Sequence, residues 1–506
     1  MKYSNPVISG CYPDPSICRA GEDYYVVNSS FEFFPAVPIS HSRDLVHWEQ
    51  IGHCITRDSQ LTLMKGQMNN SGIYAPTIRY HDGIFYMVVT NVANGQKGAG
   101  NFYVWTDNPA GEWSDPVFLH TPGIDPSLFF DDDGKAYYMG TGYPEIYIRE
   151  LDLQKGQLVG DPIKLWAGTG GAYPEGPHLY KRNGWYYLLM SEGGTERCHM
   201  LTMAKSRNIY GPYEPCPNNP VMTNRSLRLP IESVGHADMV EDPNGNWWAV
   251  CLGTRTFGYP PRHNLGRETM LVPVDWSGEW PVFGDRGRVL PEFETSLLPK
   301  GAERNIPEEA YCDDFSSDKM DLGWNYLYNP DASLYEQKAG GLWLYGNEKQ
   351  LKDADSLAWI GRRQRHHFST TEVTLQFPCI QEGEEAGLTI FMNNRHHYEA
   401  ALCCKGQKRV LIFRRQIGSL EKVECELEYS QEQVRFRLES DLDTYRFSYQ
   451  KPDKSWEELG AGEVQYLTTE VGGAFTGNYI ALYSCGNGNS CRTPAVFSHF
   501  VYEGKK

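Results

Sequence analysis

The chain has 506 residues and a formal net charge of −17, from 47 Lys and Arg against 64 Asp and Glu. This length exceeds what one hydrophobic core usually serves, so about two domains are expected. The acidic balance disfavours contact with phosphate backbones and anionic lipids, and we expect neither a nucleic-acid nor a membrane partner. Aromatic residues make up 13% of the chain, with 50 Gly and 31 Pro, which favours a folded, β-rich protein.

The N-terminal sequence and the cysteines indicate a cellular compartment. The first residues, MKYSNPVISGCYPDP, have neither the basic nor the apolar block of a secretion signal. The 13 cysteines are odd in number and form no C-x-x-C pair, which is typical of reduced thiols. We therefore expect a cytoplasmic location and no metal cage.

Five segments in the first 300 residues repeat one pattern, a short apolar strand, a glycine turn and an aromatic strand. They are YPDPSICRAGEDYYVV (12–27), YAPTIRYHDGIFYMVV (74–89), IDPSLFFDDDGKAYYMG (124–140), PEGPHLYKRNGWYYLLM (174–190) and GHADMVEDPNGNWWAVC (235–251). The pattern is that of a β-hairpin, and the spacing leaves room for a four-stranded sheet in each repeat. Five such sheets around an axis predict a β-propeller.

A second domain follows the repeats. Between 294 and 315 the chain loses the aromatic pattern and gains charge, Pro and Gly, so we divide it into domains 1–303 and 304–506. Strand-like segments such as TEVTLQF, AGLTIFMNN and YIALYSC then follow at spacings typical of a β-sandwich. Because no window has a convincing helical period, we predict an all-β protein, a five-bladed propeller followed by a concanavalin-like or jelly-roll-like sandwich.

Equivalent positions of a symmetric repeat meet at the axis, so unlike residues there converge on one site. The residues that open the five hairpins are Asp14, Ala75, Asp125, Glu175 and His236. Taken singly, D-P-S and E-G-P are ordinary turn sequences, and His236 is explained equally well by hydrogen bonds to nearby carboxylates. Three carboxylates on one axis would be costly as packing alone. Together they predict an acid–base site suited to glycosidic bond cleavage.

Aromatic side chains suited to stacking on a sugar ring are plentiful, although most are expected to serve as blade core. The candidates are Phe31, Phe33, Phe34, Tyr74, Trp105, Tyr173 and Phe257.

These strings resemble glycoside hydrolase family 43, the five-bladed propeller enzymes that release xylose or arabinose from plant polysaccharides. The matching strings are NPVISGCYPDPSI (Asp14), GIDPSLFFDDDGKAYY (Asp125), YPEGPHLYKRNGWYYLL (Glu175), VGHADMVEDPNGNWW (His236) and LGRETMLVPVDW (Arg267). The second domain resembles the β-sandwich of the family's β-xylosidase and α-L-arabinofuranosidase branch, including FTGNYIALY near the end. The resemblance covers nearly the whole chain.

The resemblance implies roles for the three carboxylates. Asp14 would be the general base that activates water, and Glu175 the general acid. Asp125 would orient Glu175 and keep it protonated. The family inverts the anomeric configuration.

The resemblance also implies substrate-binding residues, which are Phe31, Tyr74, His236, Arg267 and Phe475. Arg267 would hold sugar hydroxyls or steady the carboxylates, with an ordinary salt bridge as the alternative. Phe475 would lean from the sandwich into the pocket, with sandwich core as its alternative.

No cofactor is implied as required, although some members place a calcium ion or another cation near the channel histidine, here His236. Two departures, Tyr74 in place of a common Trp and Gly176 in place of a common Ala, leave the preferred sugar open.

We therefore predict an exo-acting, inverting hydrolase that releases terminal β-D-xylose or α-L-arabinofuranose from oligosaccharides. Two alternatives remain at this stage, a carbohydrate-binding propeller without catalysis and an endo-arabinanase with an open groove. The sandwich also offers area for a homo-oligomer, although no self-complementary patch is readable from the sequence.

Overall fold

The computed structural model describes residues 2–63, 65–66, 69–92, 98–142, 145–299, 310–338 and 340–505. In these ranges the chain is built from strands, one α-helix at Thr469–Gly472 and two 3₁₀ turns at Ala332–Leu334 and Val464–Leu467. The all-β prediction is confirmed. The domain boundary predicted between residues 303 and 304 lies outside the described residues.

Five antiparallel sheets follow one another along the first part of the chain, which confirms the five-bladed propeller. Blade 1 contains Ser16–Ala20, Asp23–Val27, Ala36–Ser42 and Glu49–Ile55; blade 2 contains Thr77–His81, Ile84–Val92, Gly100–Thr106 and Val117–Leu119, with Gly72–Ile73 added; blade 3 contains Ser127–Phe130, Ala136–Thr141, Ile146–Asp152 and Gln157–Trp166; blade 4 contains Glu175–Arg182, Trp185–Glu192, Met200–Ser206 and Glu214–Pro215; blade 5 contains Ile231–Glu241, Trp247–Arg255, Glu268–Asp275 and Val282–Phe283. The apolar residues of each blade pack against the next blade.

The N-terminal segment ties the first blade to the last. Lys2–Ser4 pairs antiparallel with Glu292–Glu294. The Asn5 side-chain amide donates to the carbonyls of Leu271 and Leu290, both at 3.0 Å. These contacts close the ring and hold the blades at fixed angles around the central cavity.

The second domain is a sandwich of two eight-stranded sheets, counted over the described residues. One sheet contains Ala310–Asp313, Tyr335–Lys338, Gly341–Leu344, Phe368–Gln376, Gln433–Ser440, Thr444–Gln450, Trp456–Glu463 and Ala495–Lys505; the other contains Phe33–Phe34, Asn325–Leu327, Ala358–Arg363, Glu385–Asn393, His396–Lys405, Lys408–Ile417, Leu420–Glu428 and Tyr479–Cys485. The main core lies between the sheets.

The propeller itself supplies one strand of the sandwich. Phe33–Phe34 leaves blade 1 and pairs antiparallel with Asn325–Leu327 at the edge of the second sheet. The Phe33 ring stacks on Tyr479 with centroids 4.0 Å apart. A shared apolar cluster of blades 1 and 2 and the outer face of this sheet joins the domains into one packed unit.

Two further observations concern the cysteines and membrane-spanning helices. All 13 cysteines lie among the described residues, and each is a free thiol. Over the same part of the chain, the structure contains no helix of sufficient length and apolarity to cross a bilayer.

Candidate active site

One cavity of about 320 Å³ opens at the axis of the propeller, and all eight predicted site residues line it. They are Asp14, Phe31, Tyr74, Asp125, Glu175, His236, Arg267 and Phe475. The other lining residues are Ala75, Ile124, Tyr173, Gly194, Thr195 and Glu196. Tyr173 was a candidate for sugar stacking, and Ala75 was recognised only as a repeat position. The remaining four had no signal in the sequence, since they come from loops between blade strands.

The backbone repeats one unusual conformation around this cavity. Asp14, Asp125 and His236 have φ values of 52°, 52° and 46°, in the left-handed region that few residues other than Gly adopt. Each lies two residues before Ser16, Ser127 and Asp238, respectively. Strained backbone of this kind persists where the surrounding packing enforces it, often at functional sites.

Blade 4 departs from the predicted equivalence by one residue. There Gly176 adopts the left-handed conformation, with φ at 57°, and Glu175 precedes it. The ladder with the neighbouring strand also shifts between Glu175 and His178. A Cβ on Gly176 would lie 2.9 Å from Cε1 of His236, so the glycine makes room for that ring. The assignment of Glu175 to the repeat position was therefore wrong by one residue, although its side chain still reaches the cavity.

Asp14 is buried and surrounded by groups that favour its ionised form. Its Oδ1 accepts from Nη1 of Arg267 at 2.7 Å, and its Oδ2 accepts from Oγ of Ser29 at 2.6 Å. Nδ1 of His236 lies 4.0 Å from Oδ1. Burial alone would raise the pKa of Asp14, but Arg267, His236 and the Ser29 hydroxyl together lower it below its ordinary value. Asp14 is therefore ionised at neutral pH and chemically suited to accept a proton.

Asp125 and Glu175 form a close carboxyl pair. Unlike the surroundings of Asp14, those of Asp125 favour the protonated carboxyl. Each offers an oxygen within 4.8 Å of the other and of a His236 ring nitrogen. Burial, and then the charges of Glu175 and Asp14, raise the pKa of Asp125 well above its ordinary value. The pair therefore retains a proton near neutral pH. Glu175 reaches the cavity with a side chain that is 18% exposed, whereas Asp125 is buried.

Three aromatic rings and Arg267 make the wall of the cavity. The ring centroids of Phe31 and Tyr74 lie 5.6 Å apart, and that of Phe475 lies 6.0 Å from Phe31 and 6.2 Å from Tyr74. The Arg267 guanidinium lies 5.6 Å from the Phe31 ring and 5.5 Å from the Phe475 ring, within cation–π range. Such a wall presents apolar faces to a sugar ring and one fixed positive charge to its hydroxyls.

The four remaining aromatic candidates are not among the described residues that line the cavity. Phe33 and Phe34 pack in the interdomain core, and Phe257 packs against the sandwich. Trp105 is 45% exposed on a strand of blade 2.

The sandwich loop that carries Phe475 is fastened to the propeller. Asn70 holds it with both ends of its side-chain amide, because Oδ1 accepts from the Phe475 N–H at 2.5 Å and Nδ2 donates to the Gly473 carbonyl at 2.9 Å. Further along, the Asn478 N–H donates to the Asn264 carbonyl at 2.9 Å. The second domain is thus part of the site.

A buried polar network continues from the site along the inner strands. Asp238 accepts from Ser16 Oγ at 2.6 Å, from Arg79 Nη1 at 2.7 Å and from the Tyr180 hydroxyl at 2.7 Å. The same arginine contacts Nδ1 of His178 at 2.8 Å. The network joins four blades and so fixes the spacing of the strands that present the carboxylates. Sequence reasoning missed it, because Arg79 and Asp238 are far apart in the chain.

The cluster of Asp125, Glu175 and His236 is also the place to test for a cation. Calcium takes roughly six to eight oxygen ligands, whereas this set offers two carboxylates and a ring nitrogen. Water would have to supply most of the remaining ligands, and we derive no step through a metal.

Replacing Arg267 with Gln is expected to move the acidic limb of the pH profile of kcat/KM. Arg267 lowers the pKa of Asp14, so its removal raises that pKa, and the base becomes protonated at a higher pH. The acidic limb should therefore shift to higher pH. Arg207→Gln, at an exposed arginine bound to backbone carbonyls, is the control. An unchanged acidic limb in Arg267→Gln would contradict the electrostatic role.

Comparison with known proteins covers both domains. A family model described as glycosyl hydrolases family 43 matches residues 3–281, and one described as a β-xylosidase C-terminal concanavalin A-like domain matches residues 312–503. A non-reducing end α-L-arabinofuranosidase of Bacteroides ovatus is 38% identical, with 99% of this chain and 94% of the relative covered. A xylosidase/arabinosidase of Butyrivibrio fibrisolvens is 37% identical, with 99% of each covered. A solved Bacteroides ovatus structure, titled Xyloglucan PUL GH43B, superimposes with a TM-score of 0.94 at 37% identity, over the full length of both chains.

Proposed function

The chain belongs to glycosyl hydrolase family 43 and is a glycoside hydrolase, and on this premise we propose that it removes single terminal α-L-arabinofuranose or β-D-xylose units from oligosaccharides. This proposal rests on the size of the cavity and on its closure at one side. Its volume of about 320 Å³ is near the lower end of small-molecule sites, ~300–1,000 Å³, and suits one sugar ring. Phe475 closes one side from the sandwich, whereas an endo-acting enzyme needs a groove open at both ends.

The carboxylates supply the chemistry of inverting hydrolysis. We propose that Glu175 protonates the departing glycosidic oxygen and that Asp14 takes a proton from the attacking water. Asp125 lies beside Glu175, and the proton that this pair retains is the one that Glu175 transfers to the leaving group. A binding protein without catalysis would have no need for an ionised Asp14 beside a carboxyl pair that shares a proton, so the electrostatics favour the enzyme over that alternative.

Both sugars are proposed as substrates because a β-D-xylopyranoside and an α-L-arabinofuranoside present similar hydroxyl positions to the same polar groups. The two relatives agree with this, since one is named an α-L-arabinofuranosidase and the other a xylosidase/arabinosidase. The preference of the enzyme for one sugar over the other depends on a few contacts, each of which changes the binding free energy of the transition state by ~1–3 kcal/mol. The cytoplasmic location and self-association stay predictions from the sequence.

The experiment is a kinetic comparison of nitrophenyl α-L-arabinofuranoside and nitrophenyl β-D-xylopyranoside, with the anomer of the first product followed by NMR. Release of either sugar with inverted configuration is the expected result. Activity on neither substrate would contradict the proposal, and retained configuration would contradict the roles of Asp14 and Glu175. Long products from arabinan would instead support endo cleavage.

Phe475→Ala is expected to raise KM about 2- to 10-fold for both sugars, because a stacking aromatic contact of ~0.5–1.5 kcal/mol is lost from the bound state. The value of kcat should fall less, since the carboxylates keep their places. Phe368→Ala removes a partly exposed Phe elsewhere on the sandwich and is the matched control. Equal kinetics of both variants would show that Phe475 does not contact the sugar.

A further inference from the structure

A second buried histidine lies directly behind Glu175. His199 precedes the third strand of blade 4, Met200–Ser206, and its ring is fully buried. Its Nε2 lies 3.4 Å from Oε1 of Glu175. The Thr223 hydroxyl donates to the His199 carbonyl at 2.9 Å, which fixes the backbone at this position.

The two ring nitrogens of His199 have no other hydrogen-bond partner among the described residues. Within the described ranges, neither Nδ1 nor Nε2 of His199 makes a hydrogen bond of normal geometry. A buried donor or acceptor without a hydrogen bond is destabilising, and an apolar residue would fill the same space without that cost. A histidine at this position is therefore best explained by an interaction of its ring with a polar group, and the Glu175 carboxyl is close enough to be that group.

The ring is also confined by its neighbours. A Cβ on Gly235 would lie 2.4 Å from Nδ1 of His199, so the ring occupies the space that a side chain at 235 would take. Gly235 comes immediately before His236, just as Gly176, which makes room for His236, comes immediately after Glu175. Two glycines thus allow two imidazole rings to pack closely around one carboxylate.

We propose that His199 is a positioning residue for Glu175, an inference that rests on the function proposed above. As the glycosidic C–O bond breaks, its electron pair stays on the departing oxygen, which takes the proton from Oε2 of Glu175. The Nε2–H of His199 donates to Oε1 and stabilises the carboxylate that forms. Contacts of this kind are often long in the free enzyme and tighten in the reacting complex. With Oε1 held by His199, Oε2 is the oxygen left to carry the proton towards the leaving group.

The leaving group distinguishes this role from a structural one. A sugar leaving group needs protonation, whereas dinitrophenolate departs with little help from an acid. We expect His199→Leu to lower kcat about 10- to 100-fold on xylobiose or an arabinofuranosyl disaccharide, the size of one hydrogen bond to a charged group. On the dinitrophenyl glycoside of the same sugar the loss should be under about 3-fold. Equal losses on both substrates would overturn the proposal.

Two amide variants keep the test valid if the leucine variant folds poorly. Gln places an amide nitrogen near the position of Nε2, and Asn places one near that of Nδ1. We expect His199→Gln to recover most of the activity on disaccharides and His199→Asn to recover little. Equal activity of the two variants would overturn the role of Nε2. His53→Gln, at a buried histidine of blade 1 outside the cavity, is the control, with kinetics like those of the unmodified enzyme.

A double variant tests whether His199 acts through Glu175. In a Glu175→Gln background, His199→Leu should change kcat on disaccharides no further, since the proton-donating carboxyl is already absent. Additive losses would contradict the inference.

An unmodified enzyme that hydrolyses none of these glycosides would contradict the proposed function itself, whereas an active enzyme with an unaffected His199→Leu variant would contradict only the role of His199.

Discussion

Asp14→Asn is expected to lower kcat by about 10²- to 10⁴-fold, the range that general base catalysis contributes. The substitution removes the proton acceptor and keeps the size of the side chain. Asn is preferable to Ala here, because Asp14 has a φ of 52° and Asn tolerates the left-handed region better than most residues. The Asn carbonyl also accepts from Arg267, so the buried guanidinium keeps a hydrogen-bond partner. Activity should fall while the melting temperature changes little.

Asp131→Asn is the matched control for this prediction. Asp131 is also a buried aspartate of the propeller, but it pairs with Lys181 and accepts from the Tyr186 hydroxyl outside the cavity. Its substitution should lower stability and leave kcat near that of the unmodified enzyme. Turnover by Asp14→Asn at the rate of this control would remove Asp14 from the reaction.

Glu175→Gln is expected to lower kcat as much as Asp14→Asn does, but only on substrates whose leaving group needs protonation. On disaccharides kcat should fall by about 10²- to 10⁴-fold, because the amide cannot protonate the departing oxygen. On a dinitrophenyl glycoside the loss should be much smaller, since that leaving group departs as a stable anion. The measurement is kcat for a series of aryl glycosides of one sugar. A steep dependence on the leaving group in the variant, absent in the unmodified enzyme, is the expected result.

Glu150→Gln, which breaks an exposed ion pair with Lys135 on blade 3, controls for the loss of a carboxylate as such. It should leave the aryl glycoside series unchanged. If Glu175→Gln lost activity equally on every leaving group, Glu175 would not be the acid, and Asp125, the buried carboxyl that retains a proton, would become the candidate.

The amino-acid sequence by itself determined the repeat and the identity of the carboxylates. A hairpin is a local structure, so its turn glycine and aromatic strand are readable within about 17 residues, and five copies predict the propeller. Asp14 and Asp125 follow from their place in that repeat. Glu175 was found for the same reason, although its blade places Gly176 at the equivalent position.

Only the tertiary structure decided how the second domain completes the site and which side chain lies behind Glu175. Residues Phe33–Phe34 enter a sandwich sheet, Asn70 fastens the loop of Phe475, and His199 lies behind Glu175. The sequence carries no local signal for such contacts. The strand pairing of Phe33–Phe34 and the hydrogen bond of Asn70 join segments about 300 to 400 residues apart. The contact of His199 with Glu175 joins two segments of blade 4 that are separated by a strand and a loop. Their energies come from burial and hydrogen bonding that exist only once the ring of blades has closed, so no pattern of spacing along the chain encodes them.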